Sequence, residues 1–384
     1  MTSRPFPPKV SIPLNRPALV GNELLYIGDA LRRGQISGDG HYTRRASATL
    51  ENLLGVSHVL LTPSCTHALE LAFLLLPFKP GQEVLCPSFT FPSTANAFVL
   101  RGLRPRFIDI RPDTLNLDEG LLEKAVTKRT VAITPVHYAG VPCQMDVIMR
   151  VARKYHLAVI EDAAQALGAK FQGRMAGSFG AMSAFSFHET KNCNCGEGGA
   201  LVLRDRRFIR RAEIIRQKGT NREQYFRGEV AKYSWVDIGS SYIPSELQSA
   251  YLQGQLEHLN AITRKRRALH ERYTRALAPL ESQGYLRTPR IPKDCDSAYH
   301  LFYILLNNAA ESRRVRLFFQ KRGILSAFHY FPLHLSAMGK KYGYRAGDCP
   351  VTESVSERLL RLPFYSTMTF REQTAVIQAL RDAF

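Results

Sequence analysis

Residues 186–199 read Ser186-Phe187-His188-Glu189-Thr190-Lys191-Asn192-Cys193-Asn194-Cys195-Gly196-Glu197-Gly198-Gly199. Short apolar runs precede and follow this stretch, at residues 182–187 and 200–203, and each is typical of a buried strand. Glycines shape the turn between them, and Lys191 lies within it. A lysine that is partly removed from water has a lowered pKa, so its amine can attack a carbonyl group. The alternative is an ordinary surface lysine on a hairpin turn.

Length and composition limit the architecture. The chain has 384 residues, of which 45% are hydrophobic. These values predict one large α/β domain and a smaller second domain. We place the first domain at residues 1–260, with an extended proline-rich arm at residues 1–20, and the second at residues 261–384.

The charge distribution, the cysteine spacing and the hydropathy do not favour a nucleic-acid-binding, a metal-binding or a membrane protein. The formal net charge of +19 raises the question of nucleic-acid binding, but the basic residues are spread along the chain and no nucleic-acid-binding motif is present. A polyanionic small substrate fits this charge equally well. The seven cysteines show no metal-binding spacing, so no metal is expected. We also expect no membrane insertion and a cytoplasmic location, because there is no signal peptide and no long apolar run.

Strands and helices are predicted to alternate along the first half of the chain. Apolar runs at residues 59–62, 83–86, 105–110, 131–136 and 157–160 read as strands, with helical patterns between most of them. This order predicts a mostly parallel sheet with helices on both faces. Functional groups should then gather at the carboxyl ends of the strands. Later strands are predicted at residues 300–306 and 327–330, and residues 354–384 are predicted to be mainly helical.

Two sites in the sequence have residues that could bind a ligand, one a phosphate group and the other a flat ring. Ser64, Cys65 and Thr66 lie between a strand and a helix, where backbone N–H groups and hydroxyls can bind phosphate; the alternative is a simple helix cap. Phe91 follows the strand at residues 83–86 and could stack on a flat ring, although core packing is the simpler interpretation.

Three further positions complete the pattern. Asp162 ends a strand, where a carboxylate can keep a pyridine nitrogen protonated, and Gln165 could reach a ring hydroxyl; Asp162 could equally cap the next turn. Ser186 either binds the phosphate or ends its strand. Taken in chain order, a phosphate turn, an aromatic ring, Asp162, Ser186 and Lys191 match the requirements of pyridoxal 5'-phosphate, with Lys191 holding it as a Schiff base.

The sequence also resembles the DegT/StrS-type sugar-nucleotide aminotransferases over nearly its whole length. This resemblance implies fold type I of the pyridoxal-phosphate enzymes, with a large mostly parallel-sheet domain and a smaller C-terminal α/β domain. The similar motifs are Ser64-Cys-Thr-His-Ala-Leu69, Pro87-Ser-Phe-Thr-Phe-Pro-Ser-Thr-Ala-Asn96, Pro135-Val-His-Tyr-Ala-Gly140, Glu161-Asp-Ala-Ala-Gln165, Ser186-Phe-His-Glu-Thr-Lys-Asn192 and Gly196-Glu-Gly-Gly199.

Within the family, four stretches resemble the dTDP-4-amino-4,6-dideoxygalactose transaminases of enterobacterial common antigen synthesis. They are Gly38-Asp-Gly40, Thr94-Ala-Asn-Ala-Phe-Val-Leu-Arg-Gly102, Lys218-Gly-Thr-Asn-Arg222 and Asp237-Ile-Gly-Ser-Ser-Tyr242. This resemblance implies amination of dTDP-4-dehydro-6-deoxy-D-glucose, with L-glutamate as the amino donor. Rival interpretations are amination at C3 or of another nucleotide sugar, a ligand-sensing regulator, and a non-catalytic homologue.

The resemblance implies further roles for individual residues. Lys191 would also carry the proton in the reaction, and its presence favours transamination over dehydration, because the dehydratases of the family have histidine there. Ser241 occupies the position at which many members contribute an asparagine to the phosphate of the partner subunit, so a homodimer with shared active sites is implied. His188, Tyr330 and His334 are expected to contact the substrate.

Overall fold

The computed structural model describes residues 11–384. Residues 1–10 of the predicted arm lie outside the described residues. The strands are β1 (His58–Thr62), β2 (Glu83–Pro87), β3 (Arg104–Ile108), β4 (Thr130–Ile133), β5 (Ala158–Asp162), β6 (Lys170–Phe171), β7 (Arg174–Met175), β8 (Met182–Ser186), β9 (Gly199–Leu203), β10 (Leu286–Arg287), β11 (Cys295–Asp296), β12 (Phe302–Leu306) and β13 (Leu359–Leu362).

Helices cover much of the remaining chain, and several of their ends have a simple local cause. Ser245 and Gln248 form a reciprocal capping box at the start of α9, and Gly55 adopts a left-handed conformation where α2 ends. The helices are α1 (Glu23–Arg32), α2 (His41–Leu54), α3 (Cys65–Leu75), α4 (Pro92–Val99), α5 (Leu122–Ala125), α6 (Met145–Lys154), α7 (Ile209–Arg216), α8 (Arg222–Phe226), α9 (Glu246–Leu256), α10 (Leu259–Ser282), α11 (Ala309–Lys321), α12 (Ala337–Lys341), α13 (Pro350–Arg358) and α14 (Phe370–Arg381).

The main sheet has seven strands in the order β1-β9-β8-β5-β4-β2-β3. Strand β9 is antiparallel to both of its neighbours, and all the other pairs are parallel, so six strands run in one direction. The prediction of a mostly parallel α/β sheet is therefore confirmed. Because the carboxyl ends of β1, β2, β5 and β8 share one edge with the start of β9, the segments that follow these strands meet there.

A second, three-stranded antiparallel sheet has the order β10-β12-β13. Its core includes Leu269, Tyr273 and Phe302, and Ile12 near the amino terminus also packs into it. Helix α10 joins the two regions, because Leu259 at its start belongs to a core beside the main sheet. The division of the chain at residue 260 stays a prediction.

One sequence prediction near the carboxyl terminus is wrong. Residues 327–330 form no strand; Ala327 makes a single antiparallel bridge to Arg361. Residues 354–384 are mainly helical, as predicted, but β13, which was not predicted, separates α13 from α14. Within residues 11–384, no helix is both long enough and apolar enough to cross a membrane.

Candidate active site

The start of α3 forms one wall of the site. Ser64 precedes the helix, and its hydroxyl accepts a hydrogen bond of 3.1 Å from the backbone N–H of His67. The Thr66 hydroxyl donates to Ser93 Oγ at 2.8 Å, so the first turn of α3 is joined to that of α4. Two helix amino termini, both bearing hydroxyl groups, therefore lie side by side, and such a place favours an anion.

Gly199, the first residue of β9, allows the hairpin to approach this wall. A Cβ atom at this position would lie 2.3 Å from the Ser64 carbonyl carbon and 2.4 Å from the Cys65 nitrogen. Any other residue would push the strand and the helix apart. The last glycine of this glycine-rich stretch is therefore required by the close approach of the strand to the helix, and not only by the shape of the turn.

Asp162 lies at the carboxyl end of β5 and is buried. One carboxylate oxygen accepts a hydrogen bond of 2.7 Å from the Thr94 hydroxyl, and the other accepts one of 3.1 Å from the Ala164 N–H. Thr94 in turn contacts the Thr90 hydroxyl at 2.8 Å. Because Thr94 donates to Asp162, Thr90 must donate to Thr94. This series of hydrogen bonds, from Thr90 to Thr94 to Asp162, thus fixes the orientation of the Asp162 carboxylate.

Lys191 lies on the hairpin between β8 and β9 and is half-buried. The hairpin is held by backbone hydrogen bonds, among them Glu189 N–H to the Gly196 carbonyl at 2.8 Å. Burial lowers the pKa of Lys191; the neighbouring Cys65 and Asp162 oppose this effect, and the positive charge of Arg361 adds to it. Lys191 is therefore close to Cys65 and Asp162, and its amine is more readily deprotonated than that of an ordinary lysine.

Gln165 connects Asp162's loop to an aromatic cluster. Its Oε1 accepts from the Ala139 N–H at 2.8 Å, and its Nε2 donates to the Tyr330 hydroxyl at 3.0 Å. Burial raises the pKa of Tyr330 to about 12, so Tyr330 keeps its proton at neutral pH. Phe91 lies 6.5 Å from Tyr330 between ring centroids and is 59% exposed, so its ring stands at the rim and could cover a flat ligand.

Ser186 and His188 lie on the same hairpin as Lys191. From the described part of the chain, the Ser186 hydroxyl receives only a long contact of 3.4 Å, from the His188 N–H, so it can bind another partner. His188 Nδ1 lies 2.9 Å from the Thr190 hydroxyl, and its ring is 40% exposed, with Nε2 lying 3.7 Å from Glu197.

Two predicted site residues lie elsewhere. Ser241 is exposed and lines a separate cavity of about 580 Å³ together with Lys218 and Arg222. His334 is fully buried; its Nδ1 lies 2.6 Å from the Ser88 hydroxyl and its Nε2 lies 2.9 Å from Glu353. Both ring nitrogens of His334 are occupied, so this placement does not favour the predicted substrate contact and indicates a structural role.

Three neighbours of this cluster were not predicted from the sequence: Arg361, His329 and Tyr138. Arg361 donates from Nη1 to His329 Nε2 at 2.7 Å, and His329 Nδ1 lies 3.1 Å from the Tyr138 hydroxyl. The His329 ring also stacks on Tyr330, with the centroids 4.0 Å apart. Tyr138 lies in a motif shared with the family, but Arg361 stands among leucines, and an arginine in such a run shows no sign of facing a site.

The comparison with protein families decides the identity of the fold. Residues 17–381 match the DegT/DnrJ/EryC1/StrS aminotransferase family. The chain belongs to this family. The predictions of an aminotransferase and of fold type I are therefore confirmed.

Individual relatives cover almost the whole chain. An uncharacterized protein of Methanocaldococcus jannaschii is 34% identical over 378 residues, which cover 96% of this chain and 97% of the relative. The spore coat polysaccharide biosynthesis protein SpsC of Bacillus subtilis is 32% identical over 380 residues, or 97% and 96% of the two chains. Among solved structures, DesV of S. venezuelae, crystallised with a ketimine intermediate, is 32% identical, with a TM-score of 0.85 and 94% of each chain covered.

Pyridoxal 5'-phosphate is the cofactor on which the aminotransferases of this family depend, so that prediction is confirmed at the level of the family. The groups found here suit the cofactor chemically. Two adjoining helix amino termini can receive a phosphate, a buried and oriented carboxylate can receive a protonated ring nitrogen, and an amine of lowered pKa can receive an aldehyde. Among residues 11–384, no group of three or more His, Cys, Asp or Glu side chains could hold a metal ion.

Proposed function

We propose that this protein is a sugar-nucleotide aminotransferase that converts dTDP-4-dehydro-6-deoxy-D-glucose into dTDP-4-amino-4,6-dideoxy-D-galactose, with L-glutamate as the amino donor. The observation that carries the proposal is the meeting of Lys191 and Asp162 beside the start of α3. The sugar substrate is supported by relatives such as SpsC, which is named for polysaccharide biosynthesis. The choice of the C4 amine rests on the resemblance of residues 94–102 and 218–222.

The cofactor, when bound, supplies an electron sink and carries the amino group between the two substrates. In the proposal, Asp162 would bind the ring nitrogen, Gln165 would bind the ring hydroxyl, Phe91 would cover the ring, and Ser186 with residues 64–66 would bind the phosphate. The amine of Lys191 would hold the cofactor's aldehyde. Lys191 would also move a proton at the carbon that gains or loses nitrogen, which is general acid–base catalysis.

The overall exchange needs no external oxidant. The amino group leaves the α-carbon of glutamate, and the remaining carbon skeleton takes up the oxygen of one water and departs as 2-oxoglutarate. The amino group reaches C4 of the sugar, whose keto oxygen leaves as another water. The formal charge of +19 suits a substrate that carries a pyrophosphate. We also propose a homodimer in which Ser241 of each subunit reaches the phosphate of the other site.

The proposed assembly is supported by the surface around Ser241. Trp235 is 80% exposed, Phe226 64% and Ile238 51%, and these side chains belong to the same segment of chain. An exposed apolar surface of this kind is typical of an interface. Mixed dimers provide a test: Lys191→Ala and Ser241→Tyr are each expected to abolish activity, and mixing them should restore one intact site. No recovery in a mixture shown to contain heterodimers would contradict sharing.

The reaction itself is tested by incubating the purified protein with pyridoxal phosphate, L-glutamate and dTDP-4-keto-6-deoxyglucose. We expect a product with nitrogen at C4 in the galacto configuration, identified by NMR, and none from Lys191→Ala. Amination at C3, or reaction only with a nucleotide sugar other than the dTDP sugar, would contradict the proposal. Parallel reactions with 3-keto sugars and UDP sugars distinguish these alternatives.

A further inference from the structure

Arg361 is held beside the candidate active site by the backbone. It lies in β13, between the buried residues Leu360 and Leu362 of the second core. Its backbone N–H donates to the Ala327 carbonyl at 2.7 Å, and this bridge fixes the start of the segment that carries His329 and Tyr330. The position of the Arg361 side chain relative to these two rings is therefore set by regular pairing.

The guanidinium of Arg361 is only partly satisfied. Nη1 donates to His329 Nε2, but Nε is buried and has no hydrogen-bond partner among residues 11–384. Within the described part of the chain, Arg361 also forms no ion pair with an aspartate or glutamate. A buried guanidinium usually has an acidic partner, because leaving its charge unpaired is costly. The edge formed by Nε and Nη2 is thus a pair of parallel donors that matches a carboxylate.

His329 holds the opposite edge of this guanidinium. Burial, together with the charges of Arg361 and Lys191, lowers the pKa of His329 to about 2, so its ring is neutral at any working pH. A neutral ring that accepts at Nε2 carries its proton on Nδ1 and donates it to Tyr138. This contact orients the free edge of Arg361 without neutralising its charge.

Arg361 is also close to the reacting lysine. Burial is the main cause of the lowered pKa of Lys191, and the positive charge of Arg361 lowers this pKa further. Burial lowers the pKa of Arg361 itself as well, while the neighbouring Tyr138 and Tyr330 oppose this effect. An unpaired cation near the reacting amine is suited to an anion that arrives with the substrate.

We propose that Arg361 binds the α-carboxylate of the amino donor, an inference that rests on the proposed function. The α-carboxylate is one bond from the carbon that loses its nitrogen, so a cation near Lys191 is within its reach. The pyrophosphate of a nucleotide sugar, in contrast, is separated from C4 by the sugar ring. The Nε and Nη2 donors of Arg361 would each bind one carboxylate oxygen.

The donor half-reaction tests this assignment separately from the sugar half-reaction. Glutamate is titrated into the cofactor-loaded enzyme, and the loss of the absorbance of the lysine-bound cofactor is followed. We expect Arg361→Gln to weaken the apparent affinity for glutamate about 10- to 100-fold, as the loss of hydrogen bonds to a charged group implies, and Arg361→Lys to weaken it less. Arg371→Ala, which removes an exposed arginine of α14, is the matched control and should change nothing.

Binding without turnover gives a second readout. Affinity for 2-methylglutamate, which has no α-hydrogen, is measured by calorimetry and should fall in parallel in the Arg361 variants. If the variants fold poorly, the wild-type enzyme still decides: it should prefer glutamine, which keeps the α-carboxylate, over isoglutamine, which has an amide there.

Three results would overturn the inference: equal affinity of Arg361→Gln and wild type for glutamate, equal use of glutamine and isoglutamine, or weakened binding of the nucleotide sugar alone. The last result would assign Arg361 to the pyrophosphate. A wild-type enzyme that reacts with glutamate in an Arg361-dependent manner, but aminates no sugar nucleotide, would support the inference and contradict only the proposed sugar substrate.

Discussion

Asp162 and Thr94 are joined by a hydrogen bond of 2.7 Å, in which the threonine hydroxyl donates to the carboxylate. Thr94 lies on α4, which follows β2, whereas Asp162 ends β5. This bond therefore connects two separate strand ends of the main sheet. Since Thr94 is also held by Thr90, the carboxylate is oriented before any ligand arrives.

Replacement of Thr94 by valine is expected to weaken cofactor binding. Valine keeps the shape of threonine but removes the hydroxyl, and a hydrogen bond to a charged group contributes about 1.5–3 kcal/mol. The affinity for pyridoxal phosphate, measured by spectroscopic titration of the apoenzyme, should fall about 10- to 100-fold. Thr274→Val is the control, because that hydroxyl bonds only to the carbonyl of His270 within its own helix. Equal affinities of the two variants would show that Thr94 does not position Asp162.

Replacement of Gly199 by alanine is expected to reduce both stability and cofactor affinity. The new Cβ atom would lie only 2.3–2.4 Å from backbone atoms of Ser64 and Cys65, far inside van der Waals contact, so the strand or the helix must shift. Overpacking of this kind costs about 1–3 kcal/mol of unfolding free energy, which denaturant titration measures. Gly28→Ala is the control, because its Cβ would meet only the end of Arg32, at 3.6 Å, and alanine favours the helix. A Gly199→Ala protein as stable as wild type would contradict the close approach.

The hairpin that carries Lys191 and the carboxyl edge of the main sheet could be predicted from the sequence. The arginine that the three-stranded sheet brings to the site could not. Local apolar patterns mark β5, β8 and β9, and the parallel topology then brings Asp162 and Lys191 to one edge. Arg361 comes from β13, a four-residue strand next to two helices, so the helical interpretation of residues 354–384 concealed it. Its position beside Lys191 depends on long-range pairing with β12, which local periodicity does not reveal.

Lys191 is expected to react with amine-selective reagents at lower pH than other lysines. Its ordinary pKa is 10.5, and burial lowers it, so the unprotonated amine is populated below that pH. The apoenzyme is labelled with acetic anhydride across a pH series, and each lysine is quantified by mass spectrometry. Lys154 is the internal control, because its hydrogen bond with Glu123 raises its pKa.

The Asp162→Asn variant tests how the negative charge of Asp162 changes the pKa of Lys191. Asp162 raises the pKa of Lys191, so its removal should shift the labelling midpoint of Lys191 further down and leave that of Lys154 unchanged. A midpoint for Lys191 at or above that of Lys154 would contradict the buried environment.

His334→Ala is expected to reduce stability rather than substrate binding. The change removes the ring that contacts both Ser88 and Glu353, and the loss of a hydrogen bond to a charged group costs about 1.5–3 kcal/mol. Denaturant unfolding should show this loss, while the KM for the nucleotide sugar in the folded enzyme stays within about twofold, a change worth only a few tenths of a kcal/mol. A large rise in KM with unchanged stability would contradict this expectation and show that His334 contacts the substrate.

The central claim is that the amine of Lys191 holds the cofactor opposite Asp162. The most direct measurement is borohydride reduction of the protein loaded with pyridoxal phosphate, followed by digestion and mass spectrometry. We predict one phosphopyridoxyl group per chain, on Lys191, and much weaker labelling in Asp162→Asn. Stoichiometric labelling of a different lysine, or of none, would contradict the account.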